Sequence, residues 1–330
     1  MTTSPDHAVF TLDDLHRGSR AILATLPAGI VAYRLLREVL RVPPADPELT
    51  RSKKAALNSR WVYQLKHSQL PDGSWGRFHS QDTKLKTVFR TTEEAIDRAF
   101  ALGLEPGDAP LARLHQYILG VLRGETHITD RTEKNEAWPL LVNFILAGRL
   151  VQLDPTNKIL DPNWAYLLEV ASLAFASGEY CLEDEAAAYL RLSGVHIPGG
   201  FLESQHALWI LSSHRLPRQL DQALVNWIWH KPDGIRYLRV PLSNPPPRLI
   251  GYWLRSMSLL TRFDSWREIS IKTLNQMWEL RDENGLWDFG SHIAKSVDFP
   301  LSESWRQANN RRLDYSTCLL VLLRRYFDDP

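Results

Sequence analysis

One turn is written into this chain three times, and a repeated turn means a repeated architecture. Its fullest form is Gln69-Leu70-Pro71-Asp72-Gly73-Ser74-Trp75. A second copy reads Arg281-Asp282-Glu283-Asn284-Gly285-Leu286-Trp287, and a weaker third reads Lys231-Pro232-Asp233-Gly234-Ile235-Arg236-Tyr237. Each ends an apolar, helix-like segment with a glycine and places an aromatic residue shortly after it. Glycine suits a sharp turn past a helix end because only glycine reaches positive φ without strain. Proline presets φ, and aspartate bonds its own backbone. The tryptophan can then fold back over the helix end. Trp227 and Trp278 stand upstream of the second and third glycines in chain order, each within an apolar helix segment.

The segments after the turns also repeat. Val240-Pro241-Leu242-Ser243 follows Gly234, and Phe299-Pro300-Leu301-Ser302 follows Gly285. Similar helices come next, from Gly251-Tyr252-Trp253 to Phe263 and from Asp314-Tyr315-Ser316 to Tyr326. The order is helix, glycine turn, loop, helix. Gln-x3-Gly-x-Trp after an apolar helix resembles the QW motif of squalene–hopene and oxidosqualene cyclases. Related turns occur in class II diterpene cyclases and in protein prenyltransferase β subunits. The first copy matches the motif core, the second has Arg281 in place of Gln, and the third lacks Gln and shifts the aromatic. The resemblance implies an all-α fold, an (α/α)6 toroid of paired inner and outer helices across 1–330. Residues 1–46 would form a helical hairpin packed on that single domain. It also implies inner helices around a central apolar cavity lined by Trp and Tyr, with the turn loops ringing its mouth.

Composition agrees with one soluble globular domain: 330 residues, 44% hydrophobic and 23% charged. A net charge of +1 gives no drive toward nucleic acid. Cys181 and Cys318 stand apart, so neither a disulfide framework nor a structural zinc site is expected. Ala21–Leu26 and Ala28–Tyr33 are apolar but broken by Pro27 and too short to span a bilayer. They read as a buried hairpin in a cytoplasmic protein, with peripheral membrane contact as the second reading. Thr11 with Asp14, and Thr91 with Glu94, have capping-box spacing. Helices are expected at Trp138–Leu150, where the chain is apolar almost all round, and over 162–177, 183–193, 201–213 and 219–229.

The loop stretches carry the candidate chemistry. His79, Asp82, Lys84 and Arg90 form one charged loop, able to cradle a diphosphate or carboxylate; its plainer reading is a solvated loop of weak ion pairs. Asp130, Arg131, Glu133 and Lys134 precede the apolar helix that Trp138 opens. Acids at a helix start are favoured by the macrodipole in any case, but a network with basic partners can also keep one acid protonated. Asp314 either caps the last helix or faces the cavity, beside Trp305 and Arg306. Glu183-Asp184-Glu185 reads as helix-start acids, and His196, His206 and His214 as packing or surface residues.

By resemblance, the function is that of a terpenoid cyclase or isomerase acting on a prenyl substrate by acid-initiated carbocation chemistry. Asp130, Asp314 and Glu133 are then the candidate acids. Arg131, Lys134, Lys84, Arg90, Arg306, His79 and Asp82 would hold the substrate head, and Trp138, Trp253 and Trp305 would provide aromatic wall. No metal site and no cofactor are expected, Mg²⁺ entering only with a diphosphate substrate. The departures are specific. The Asp-x-Asp-Asp run of class II cyclases is absent, as are the Asp-rich magnesium motifs of class I synthases and the Asp-x-Cys pair of prenyltransferases. The alternative is therefore a non-catalytic toroid binding an isoprenoid-like ligand or a partner. A carbohydrate-processing α/α barrel is a weaker third reading. A cavity open at one end and lined by the charged clusters favours catalysis; a mouth filled by their own salt bridges favours binding or a purely structural role.

Overall fold

The computed structural model describes residues 7–80, 87–197, 200–294 and 296–328. Among them the regular structure is helical, in 14 α-helices. These are α1 (Leu12–Ala24), α2 (Gly29–Arg34), α3 (Pro47–Leu57), α4 (Arg60–Ser68), α5 (Thr92–Ala101), α6 (Ala109–Leu122) and α7 (Trp138–Leu153). Then follow α8 (Asp161–Ala174), α9 (Leu182–Ser193), α10 (Gln205–Leu211), α11 (Arg218–His230), α12 (Ile250–Leu260), α13 (Trp266–Glu279) and α14 (Ala308–Arg325). A π-helical segment, Leu35–Val39, continues α2.

Local chemistry sets the helix starts. Thr11 and Asp14 make the full capping box at α1. At α5 the Thr91 hydroxyl accepts from Glu94 N at 3.1 Å, while the Glu94 carboxylate accepts from Arg90 N at 2.7 Å. The expected box is thus half formed, its acid one residue out of register.

The repeated turns are equivalent down to individual bonds. Trp75 and Trp287 donate their indole N–H groups to the Leu65 and Met277 carbonyls, at 2.9 and 2.6 Å. Both acceptors are carbonyls in the last turn of the preceding helix, where the regular helical donors run out. The backbone N–H of each Trp donates in turn to a hydroxyl on the next helix, Thr92 or Ser316. Gly73 and Gly285 take φ of +95° and +75°. Gln69 donates to the Gly73 and Pro110 carbonyls at 2.8 and 2.7 Å, tying its turn to the following helix pair. In the second copy Arg281 instead lies over the Trp278 ring, 3.3 Å from its centroid. The third turn keeps its glycine at φ +59°, but Tyr237 does not take the capping role.

Helix contacts close a circuit. α7 packs on α10, α10 on α12, α12 on α14, and α14 on α2. Arg34 of α2 donates to the Ala101 carbonyl of α5 at 3.0 Å, and Arg149 of α7 bonds Glu93 and Asp97 of α5. The second helix of the N-terminal hairpin is therefore a member of the circuit rather than an accessory to it. The hairpin is also not wholly buried: Leu26, between its helices, is 90% exposed. The helices α7 and α10 approach closely, and a Cβ on Gly148 would lie 2.9 Å from the His206 carbonyl oxygen.

Candidate functional site

The charged loop residues read from the sequence mostly hold loops. Asp130 accepts from the backbone N–H groups of Phe78, His79 and Ser80, at 2.5, 2.9 and 2.5 Å, and from the Ser80 hydroxyl. Asp314 is fully buried and accepts from Leu301 N, Ser302 N and Ser302 Oγ, at 2.7, 2.9 and 2.5 Å. Asp221 does the same for Asp264 N and Ser265 N, and Glu185 for Leu202 N. Each carboxylate satisfies backbone donors that a buried loop cannot leave unpaired. Burial pushes the Asp314 carboxyl up to about 6, against the pull of those hydrogen bonds.

The remaining candidates do not assemble into one site. Glu133, Arg131 and Lys134 are exposed, as are Arg90 and Arg306. Asp82 and Lys84 lie outside the described residues. Trp138 is buried at the start of α7, and Trp253 is fully buried with its indole N–H on the Leu242 carbonyl at 2.8 Å. Trp305 packs against Phe299 and Tyr315, ring centroids 5.3 and 5.1 Å apart. These rings serve core and turn packing. Of the predicted residues among those described, only His79 reaches the buried polar centre, with Asp130 fixing its loop.

That centre is an ionic network. Arg149, 1% exposed, donates to Glu93 Oε1 at 2.9 Å and Asp97 Oδ1 at 2.5 Å. Asp97 also accepts from Arg255 of α12 at 3.0 Å, and Arg255 reaches Asp298 at 2.9 Å. Glu93 Oε2 lies 2.5 Å from His79 Nδ1, and Glu93 Oε1 lies 3.5 Å from His206 Nε2. Burial disfavours the Glu93 charge, yet Arg149, His206 and His79 hold its carboxyl well below the usual range. Ion pairs thus join α5 to its neighbour α7 and, across the circuit, to α12, where an apolar centre was expected. The physical reason is in the sequence: Glu93 and Asp97 share one face of α5 at i,i+4 spacing, and a lone arginine in each of two apolar helices must find them.

Beside the network lies a cavity of about 400 Å³. It is bounded by the late turns of the circuit helices, including Phe100, Trp209, Leu254, Val321 and Leu322. Five arginines line it, Arg34, Arg37, Arg255, Arg262 and Arg325, against three acids, Glu38, Asp97 and Asp298. All three acids are already paired. Glu38 meets Arg34 at 3.0 Å and Arg37 at 2.9 Å, which keeps its carboxyl at about 2 despite burial. Arg262 and Arg325 have no ion-pair partner among the described residues. Arg262 donates to Ser212 Oγ at 2.9 Å and lies 5.3 Å over the Trp209 ring, while Arg325 donates to Ser258 Oγ. Burial lowers the pKa of both, and Arg325 lowers that of Arg262 further. A second, larger hollow of about 820 Å³ lies between α11 and α13 and carries only Lys272 and Asp288 as charged lining.

No protein-family model, curated protein or solved structure matches this chain. The functional reading therefore rests on the turn residues and this geometry. None of the described helices is long and apolar enough to cross a membrane.

Proposed function

We propose that this chain is an α/α toroid of the kind found in terpenoid cyclases and prenyltransferase β subunits, and that it binds an amphipathic anion of the isoprenoid class in its arginine-lined cavity. The closed helix circuit and the equivalent glycine–tryptophan turns support the toroid. The observation that carries the binding reading is the pair Arg262 and Arg325: two neighbouring guanidiniums, without an ion pair among the described residues, facing a cavity walled in part by Phe100, Trp209, Leu254, Val321 and Leu322. An anionic head group relieves their burial and mutual repulsion with charge-assisted hydrogen bonds. The apolar lining receives the chain. The volume falls at the lower end of the roughly 300–1,000 Å³ usual for small-molecule sites, which suits a short prenyl chain.

Binding is better supported than acid-initiated cyclisation. That reaction needs a protonated acid facing the substrate, and the acids lining the cavity are ion-paired to arginine. Asp314 has the raised pKa such a role needs, but its oxygens are occupied by Leu301 and Ser302, and it does not line the cavity.

The test is calorimetric titration with geranyl and farnesyl diphosphate, the matching alcohols and inorganic diphosphate, with product analysis of each mixture. Binding of the prenyl diphosphates well above both the alcohols and bare diphosphate is expected, with no isomeric product. Equal binding of prenyl alcohol and diphosphate would refute the arginine role, and an isomeric product would restore the cyclase reading.

A further inference from the structure

We propose that His79, Glu93 and His206 form a binding site for a divalent transition-metal ion, zinc being the ion their donor atoms fit best. Their ligand atoms all lie within 4.8 Å of one another. His79 Nδ1 is 2.5 Å from Glu93 Oε2, and His206 Nε2 is 3.5 Å from Glu93 Oε1. Two imidazoles and a carboxylate are a known zinc donor set, with bonds of about 2.0–2.2 Å that place neighbouring ligand atoms some 3–3.5 Å apart. Small side-chain rotations bring this trio to that spacing.

A second, independent observation points to a ligand here. His206 is 1% exposed, and neither of its ring nitrogens has a hydrogen-bond partner among the described residues. Buried polar groups are normally paired, because a stranded donor or acceptor carries its full desolvation cost. A metal bound at Nε2 supplies the missing partner.

The surroundings suit a cation despite the nearby arginine. Arg149 contacts Glu93 only through Oε1 and directs its other nitrogens at Asp97, fixing the carboxylate plane as an outer-shell partner does. His79 is held in place by the bonds of its loop to Asp130. Tyr237 completes the wall, its ring centroid 6.3 Å from that of His79 and 6.0 Å from that of His206. Three protein ligands leave a fourth position open on a tetrahedral ion. The trio sits at the first turn of α5 and the cavity at its last, so this inference stands whether or not a prenyl ligand binds.

The experiment strips the full-length protein with a chelator, then titrates it with Zn²⁺ by calorimetry and with Co²⁺ by visible absorption. One zinc per chain is expected, with a dissociation constant below about 1 μM and a visible Co²⁺ band of four- or five-coordinate type. His79→Ala and His206→Gln should each weaken zinc binding at least about 100-fold, while His196→Gln, at an exposed histidine, should not. Circular dichroism checks folding. If buried His206→Gln misfolds, His79→Ala at its half-buried loop decides the matter. Absence of stoichiometric zinc binding, or unchanged affinity in His79→Ala, overturns the proposal.

Discussion

Arg149→Met tests whether the ion pairs at the centre hold the fold together. The guanidinium is 1% exposed and bonds two carboxylates on α5. Removing one partner of a buried pair typically costs about 3–5 kcal/mol, because it strands the other charge. Here the stranded acids keep other partners: Asp97 retains Arg255 at 3.0 Å, and Glu93 retains His79 at 2.5 Å. The expected loss is therefore at the lower end, about 3 kcal/mol. At about 2.1 cal/mol/K per residue of unfolding entropy, a chain of 330 residues would lose about 4 °C in Tm. Urea denaturation followed by circular dichroism reads this directly. The control is Arg215→Ala, whose arginine side chain is 80% exposed in its pair with Asp264; such pairs contribute about 0–1 kcal/mol. If Arg149→Met unfolds within 1 kcal/mol of wild type, the network is not holding the helices together.

Gly148→Ala should destabilise by about 1–3 kcal/mol, since the new methyl would press on the His206 backbone; a neutral result would mean that α7 and α10 can separate. Trp75→Phe and Trp287→Phe should each cost about 1 kcal/mol or more through the lost indole donor, and equal losses measured by thermal melts would establish the two turns as equivalent. Asp314 predicts a pH effect of defined sign. Its folded pKa of about 6 lies above the ordinary 3.8, so its contribution to stability is full below pH 4 and is lost as pH rises through 6, by about 3 kcal/mol. Asp314→Asn mimics the protonated form, its oxygen accepting from Leu301 and Ser302 N and its amide facing Ser302 Oγ. It should match or exceed wild-type stability at pH 7.5 and flatten the pH profile. A loss above 2 kcal/mol at that pH would contradict the assignment.

The all-α architecture and the turns were legible because their chemistry is local. Pro71, Asp72, Gly73 and Trp75 act within a few residues of one another, and so do Thr11 and Asp14. The roles of Asp130 and Asp314 were not legible. An acid before a helix looks the same whether it caps, catalyses or holds a loop, and the Phe78–Ser80 loop that Asp130 binds is distant in sequence. The buried centre was missed for a related reason. Arg149 and Arg255 sit in helices that read as plain core, His206 reads as a packing or surface residue, and nothing singles out Glu93 or Asp97. A signal was present: a single arginine inside an apolar helix implies a buried carboxylate elsewhere. Arg262 and Arg325 fall at helix ends, where basic residues are common for dipole reasons alone, so sequence could not distinguish them from ordinary C-terminal charges.

The most direct test of the binding account is farnesyl diphosphate affinity in the double variant Arg262→Gln/Arg325→Gln, measured beside its stability. Two unpaired, half-buried cations add little to the fold, so the account predicts affinity reduced at least about 100-fold with unfolding free energy within about 1 kcal/mol of wild type. Unchanged affinity in a stable double variant would contradict it.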